Sequence, residues 1–98
     1  MKDSEVIENV NRILKKYFPN GFKLLLFGSR STKKNSPNAD FDFLIDAGSQ
    51  IDIKTWASLR EDLDRLNTLY SIDMTDLYIA DSQFLETIKG DLIDVSKR

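Results

Sequence analysis

The pattern of apolar and polar positions divides the chain into alternating helical and extended segments. Apolar residues recur every three or four positions over residues 4–17 and again over about 52–67, which predicts two amphipathic helices. Short apolar or alternating runs over 22–27, 40–46 and 72–79 predict three strands. The helical and extended segments alternate, so we expect a small sheet with helices packed against it.

Capping residues and turns set the expected element boundaries. Asp3 or Ser4 is expected to cap the first helix. Asp81 or Ser82 is expected to cap a short last helix, with Gly90 ending it in a left-handed conformation.

Two short segments are less well defined by their pattern. Residues 31–34 are compatible with a short helix, and residues 92–95 are compatible with either an edge strand or a tail. The chain has 98 residues, which predicts a single domain of the α/β (α+β) class over residues 1–98.

Composition removes several kinds of chemistry. The chain has no Cys and no His, which excludes disulfides, Cys-based zinc sites, Ser-His-Asp triads and imidazole bases. Any metal must therefore be held by oxygen ligands, which favours magnesium, manganese or calcium. The net charge of −2 argues against nucleic acid as a partner. There is no apolar stretch of roughly 18–20 residues and no signal-peptide pattern, so we expect no membrane segment and a cytoplasmic location.

Two carboxylates stand out on the second predicted strand. Asp40 and Asp42 are two residues apart, so both leave the same face, with their Cα atoms roughly 6.6 Å apart. Phe41, Phe43 and Ile45 occupy the opposite, core-facing side. Such a pair on the solvated face of a strand is equally well explained as ordinary surface, so it does not identify a site by itself.

Neighbouring features add weight to a functional interpretation. Gly28 and Ser29 directly follow the first strand, where backbone N–H groups and a hydroxyl suit phosphate oxygens. Ten residues separate Ser29 from Asp40, which allows the chain to return beside the first strand. Asp73 begins the third strand and would join the two acids if that strand paired with the second.

A cluster of three carboxylates is repulsive unless cations neutralise it. Magnesium ions suit oxygen-only ligands and can serve phosphate chemistry in pairs. The pattern therefore indicates metal-dependent chemistry on a nucleoside triphosphate. Asp76 is a rival third carboxylate, although strand alternation directs it toward the core. Arg30 is equally compatible with a phosphate contact and with an ion pair to a nearby Asp.

These residues resemble a known family signature. The segments 24–31 and 39–45 resemble the Gly-Ser, ten-residue spacer and Asp-x-Asp motif of the polymerase-beta-like nucleotidyltransferases. The chain length is similar to that of the minimal nucleotidyltransferases of the antitoxin type. The resemblance implies a mixed three-stranded sheet flanked by helices, two Mg²⁺ ions and ATP as substrate.

The resemblance also implies roles for individual residues. Gly28, Ser29 and Arg30 are expected to bind the nucleotide, with Ser29 on the triphosphate. Asp40 and Asp42 are expected to be catalytic metal ligands. The third carboxylate comes from a later strand in the family, and by position this role goes to Asp73.

Finally, the resemblance implies a partner. Minimal nucleotidyltransferases are paired with small helical HEPN proteins, which are ribonuclease toxins, and transfer AMP from ATP to a tyrosine of that partner. The expectation is a protein adenylyltransferase acting as a type VII-like antitoxin in a hetero-oligomer with its HEPN toxin. Two alternatives stay open: a protein-binding antitoxin with a vestigial nucleotide site, and a minimal enzyme that acts on a small molecule.

Overall fold

A computed structural model describes residues 2–28, 40–66, 68 and 70–96 of the chain. Its elements, in chain order, are α1 (Asp3–Tyr17), β1 (Lys23–Phe27), β2 (Phe41–Asp46), α2 (Ile53–Asp64), β3 (Ile72–Asp76), α3 (Ser82–Ile88), a 3₁₀ turn (Lys89–Asp91) and β4 (Ile93–Asp94). The short helix predicted over 31–34 lies outside the described residues. None of the described helices is long and apolar enough to cross a membrane.

The strands form one mixed sheet in the order β3-β2-β1-β4. β1 runs antiparallel to both β2 and β4, whereas β2 and β3 are parallel. The α+β class, with helices flanking a small mixed sheet, is confirmed. The sheet has four strands rather than three, because the undecided segment near the C-terminus adds the two-residue strand β4 beside β1.

One face of the sheet carries the main core. Phe41, Phe43 and Ile45 of β2 are fully buried there, as the period-two pattern predicted. Helices α1 and α2 cover this face with an apolar stripe from each helix, which comprises Val6, Val10, Leu14, Leu59 and Leu63.

The opposite face is only partly solvated, which corrects the prediction for β2. Leu44 shares that face with Asp42, yet only 1% of Leu44 is exposed. It packs with Phe27 and with Ile88 of α3. Helix α3 thus covers part of this face, a tertiary contact that strand periodicity does not encode.

Two of the predicted helix ends are wrong. Lys2 occupies the N-cap of α1, and its backbone N–H donates to the Glu5 side chain at 3.0 Å, so neither Asp3 nor Ser4 is the cap. Gly90 does not adopt a left-handed conformation, because the chain continues through it as a 3₁₀ turn.

The predicted cap of the last helix is confirmed. Asp81 is the N-cap of α3, and its carboxylate accepts hydrogen bonds from the next helical N–H groups, those of Gln83 and Phe84. This short side chain satisfies backbone donors that the first turn of a helix leaves without partners.

Candidate functional site

Gly28, Asp42 and Asp73 lie at the same end of three neighbouring strands, and we call this set the acid row, although the register partner of Asp42 on β1 is Phe27. Asp42 is the register partner of Phe27 on one side and of Asp73 on the other. Gly28 directly follows Phe27 at the end of β1. Adjacent strands are about 4.8 Å apart, so the backbone of Asp42 lies close to both β1 and Asp73, whereas β2 separates Gly28 from Asp73.

Gly28 allows an unusually close approach to the Asp42 carboxylate. Its φ angle is +80°, in the left-handed region, and a Cβ built on it would lie 2.7 Å from Asp42 Oδ2. Only a residue without a side chain fits here without displacing that carboxylate.

The three acids interact electrostatically. Asp40 and Asp73 are exposed, whereas Asp42 is half-buried. Burial raises the pKa of the Asp42 carboxyl, and the negative charges of Asp73 and Asp40 raise this pKa further. The site therefore carries negative charge that a cation would stabilise.

Asp76, the rival third carboxylate, has a structural role. It is 2% exposed, and its register partner is the core residue Ile45. Its Oδ2 accepts the Ile51 N–H at 2.9 Å, and its Oδ1 accepts the Tyr78 N–H at 3.0 Å. Both carboxylate oxygens are thus engaged by backbone, so Asp73 is the better placed of the two to act with Asp42.

The site geometry agrees with a match to a protein family. The family model of polymerase beta, nucleotidyltransferase, matches residues 8–97. The chain belongs to this family. The match extends from α1 to the region after β4, and it includes all three acids. A search of curated proteins found no match.

This nucleotidyltransferase domain has nucleotidyl transfer as its general chemistry. The family generally uses a nucleoside triphosphate and a divalent metal. The oxygen-only donor set of Asp40, Asp42 and Asp73 fits such an ion. The pKa of Asp42 is raised by burial first and then by the charges of Asp73 and Asp40, and an ion would neutralise those charges. In the part of the chain that the structure describes, no three acidic or other metal-ligating side chains already form a group that could hold an ion. The fit to a metal thus rests on the chemistry of the oxygen donors and on the register that pairs Asp42 with Asp73, and not on a formed cluster of ligands among the described residues.

The other predicted nucleotide ligands cannot be placed. Ser29 and Arg30 lie outside the described residues, so their contacts to the triphosphate stay predictions.

Two neighbours of the acid row were missed by the sequence reasoning. Phe84 of α3 packs edge-to-face on Phe27 with ring centroids 5.6 Å apart, which forms the covered border of the row. Thr75, two residues after Asp73 on the same face of β3, is half-buried. Helical spacing of Phe84 with Ile88 was the available signal for the first residue, and strand alternation was the signal for the second.

Proposed function

We propose that this nucleotidyltransferase transfers AMP from ATP to a tyrosine hydroxyl of a partner HEPN toxin, and so acts as an antitoxin. The observation that carries the proposal is the row formed by Gly28, Asp42 and Asp73. Family membership supports nucleotidyl transfer. The resemblance of the motif and chain length to minimal nucleotidyltransferases supports the choice of donor, acceptor and partner.

The two ends of the acid row suit different parts of the reaction. At the β1 end, Gly28 brings the end of β1 close to the Asp42 carboxylate. Ser29 and Arg30 follow Gly28 in sequence, and the backbone N–H groups and hydroxyl of such a segment suit phosphate oxygens. Asp40, Asp42 and Asp73 would hold the Mg²⁺ ions, which neutralise phosphate charge and lower the pKa of a bound hydroxyl when present.

The chemistry needs a proton acceptor and a leaving group. The acceptor oxygen forms a bond to the α-phosphorus of ATP, the bond from that phosphorus to the bridging oxygen breaks, and pyrophosphate leaves. The chain has no His, so we assign the hydroxyl proton to a carboxylate. Asp73 is exposed on the last strand of the row and is the residue we assign to this role.

The partner's approach is restricted by the fold. Helix α3 covers the acid face on the β1 side through Phe27, Leu44 and Ile88. The acceptor therefore reaches the row from the β3 side, where Asp73 is exposed. A partner with its acceptor on a projecting segment fits this approach.

Co-expression with a HEPN protein encoded by the neighbouring gene tests the proposal. Intact-mass measurement should show one or more AMP groups added to that protein, on a tyrosine. The Asp42→Asn variant should still bind the partner, because the change is isosteric, and should transfer AMP roughly a thousandfold more slowly. Asp46→Asn is the matched control, since Asp46 lies on the same strand and face but outside the row. It should transfer AMP like the wild type.

Two other outcomes would each replace the proposal. If the wild-type protein neutralises the HEPN protein without modifying it, the chain is a binding antitoxin with a vestigial site. If the HEPN protein is neither modified nor neutralised while the chain transfers AMP to a small hydroxyl compound, the chain is a small-molecule enzyme.

A further inference from the structure

We propose that the acceptor is presented as an extended peptide strand that pairs with the outer edge of β3, beside Asp73. This inference rests on the proposed function, and it specifies how the acceptor is recognised. It comes from the order of the strands and from the hydrogen bonds along β3.

The peptide groups of β3 point alternately inward and outward. The Ser71 carbonyl accepts the Phe41 N–H at 2.9 Å, and the Leu77 N–H donates to the Ile45 carbonyl at 2.9 Å. Residues 71, 73, 75 and 77 therefore direct their N–H and C=O groups toward β2, whereas residues 72, 74 and 76 direct theirs to the outer edge. Among the described strands, none pairs with that edge, because β3 is the last strand in the sheet order.

The two ends of this edge are capped by other groups. At the beginning of β3, the Ile72 carbonyl accepts a hydrogen bond from the Arg60 guanidinium at 3.2 Å. At the end, the Asp76 carbonyl accepts the Ile79 N–H at 3.2 Å. Between them lies Met74, whose outward peptide N–H and C=O have no hydrogen-bond partner in the described ranges. An edge residue with a free donor and a free acceptor is a template for one residue of an added strand.

There is space beside the first half of this edge. A cleft of about 240 Å³ adjoins the start of β3, and its lining includes Arg60, Thr68, Ile72 and Asp73. An extended segment that pairs with Met74 would pass this cleft at the end of the strand where the acids lie.

The geometry of such a pair brings a hydroxyl to the acid row. In an antiparallel pairing, one peptide residue exchanges both hydrogen bonds with Met74, and its neighbour lies opposite Asp73. Side chains of directly opposed residues leave the same face, with Cβ atoms about 4.5–5.5 Å apart. The hydroxyl-bearing side chain would therefore extend the row of Gly28, Asp42 and Asp73 by one strand, next to the proposed proton acceptor.

The test uses a short synthetic peptide that spans the tyrosine found modified in the co-expression experiment. Amide hydrogen exchange of the wild-type protein is measured by NMR with and without saturating peptide. We expect the Met74 amide to exchange rapidly in the free protein and about tenfold or more slowly in the complex. The Thr75 amide is the internal control, because it points toward β2 and should be protected in both states.

A backbone ester scan of the peptide provides an independent readout. Replacing the amide of the residue that pairs with Met74 removes one hydrogen-bond donor, which should raise KM for AMP transfer about fivefold with kcat unchanged. This residue adjoins the tyrosine on one side, whereas an ester at the tyrosine itself should leave KM unchanged, because that N–H points away from β3.

The outcomes distinguish a failure of the strand pairing from a failure of the proposed function. If the peptide is adenylylated while Met74 exchange does not change, or if Met74 is already protected in the free protein, strand pairing is wrong and the proposed function stands. If the wild type adds AMP to no protein and no peptide, the proposed function fails, and this inference fails with it.

Discussion

Replacing Gly28 by alanine tests the contact between the β1 backbone and the Asp42 carboxylate. At φ +80°, alanine loses about 1 kcal/mol of folding free energy relative to glycine. Its Cβ would also lie 2.7 Å from Asp42 Oδ2, whereas ordinary contact begins at 3.4 Å. The carboxylate must turn away from its rotamer, at a further cost of about 0.5–1.5 kcal/mol. The total expected destabilisation is about 2 kcal/mol.

Gly48 provides the matched control for the backbone part of this effect. Its φ angle is +90°, and a Cβ there would meet nothing within 4 Å. Gly48→Ala should therefore lose only about 1 kcal/mol. Urea unfolding in metal-free buffer gives the free energy of unfolding of both variants, and thermal melts should separate them by about 4–8 °C per kcal/mol.

A double-mutant cycle tests whether the extra destabilisation of Gly28→Ala comes from the Asp42 carboxylate. Asp42→Ala removes the atoms that the new Cβ would meet, so the extra loss in Gly28→Ala should disappear in this background. Asp42→Asn keeps the shape of the side chain, so the extra loss in Gly28→Ala should remain in that background. If Gly28→Ala and Gly48→Ala are equally stable, the β1 backbone and the Asp42 carboxylate are not in close contact.

Three further predictions concern the acids. In metal-free buffer, burial raises the folded-state pKa of Asp42, and the charges of Asp73 and Asp40 raise it further. The folded state then binds more protons than the unfolded state, so stability falls as pH rises through that pKa. Asp42→Asn should lack this dependence in thermal melts from acid to neutral pH, and equal pH slopes would contradict the shift. Asp76→Ala should lower the free energy of unfolding in urea by about 2–4 kcal/mol, because two backbone N–H groups lose their acceptor. Asp73→Ala should stay within about 0.5 kcal/mol of the wild type, and similar losses in the two variants would refute the distinction between their roles. Mg²⁺ with ATP should raise the melting temperature more than ATP alone, and an undiminished shift in Asp40→Asn would remove the metal assignment.

The sequence predicted the parts of the fold that have a local cause. Phe41, Phe43 and Ile45 alternate with polar residues, and all three are fully buried. The burial of Leu44 was not predictable in this way, because it depends on where α3 packs. Strand β4 has only two residues, too few for a periodic signal, and it forms because β1 offers an edge.

For the candidate site too, local patterns in the sequence indicated part of the arrangement, whereas contacts between distant segments were not predictable. The spacing of Asp40 and Asp42 and the position of Asp73 at the start of a strand indicated a cluster. The pairing of Asp42 with Asp73 depends on the register between parallel strands far apart in sequence. The alternation that placed Asp76 toward the core was correct, but its two backbone partners come from turns that no local pattern specifies.

The burial of both faces of β2 has a consequence for the tolerance of the chain to substitution. Phe43 and Leu44, the two residues that follow Asp42, are held in different cores on opposite sides of the sheet. The β2 backbone that carries the Asp42 carboxylate is thus packed on both sides, so packing determines its position more than the acids do. Phe43→Leu should destabilise the fold, because it removes buried volume from the core. It should also slow nucleotidyl transfer, because a displacement of about 1 Å can lower a rate a hundredfold. In this small domain, the apolar core therefore also fixes the position of the Asp42 carboxylate.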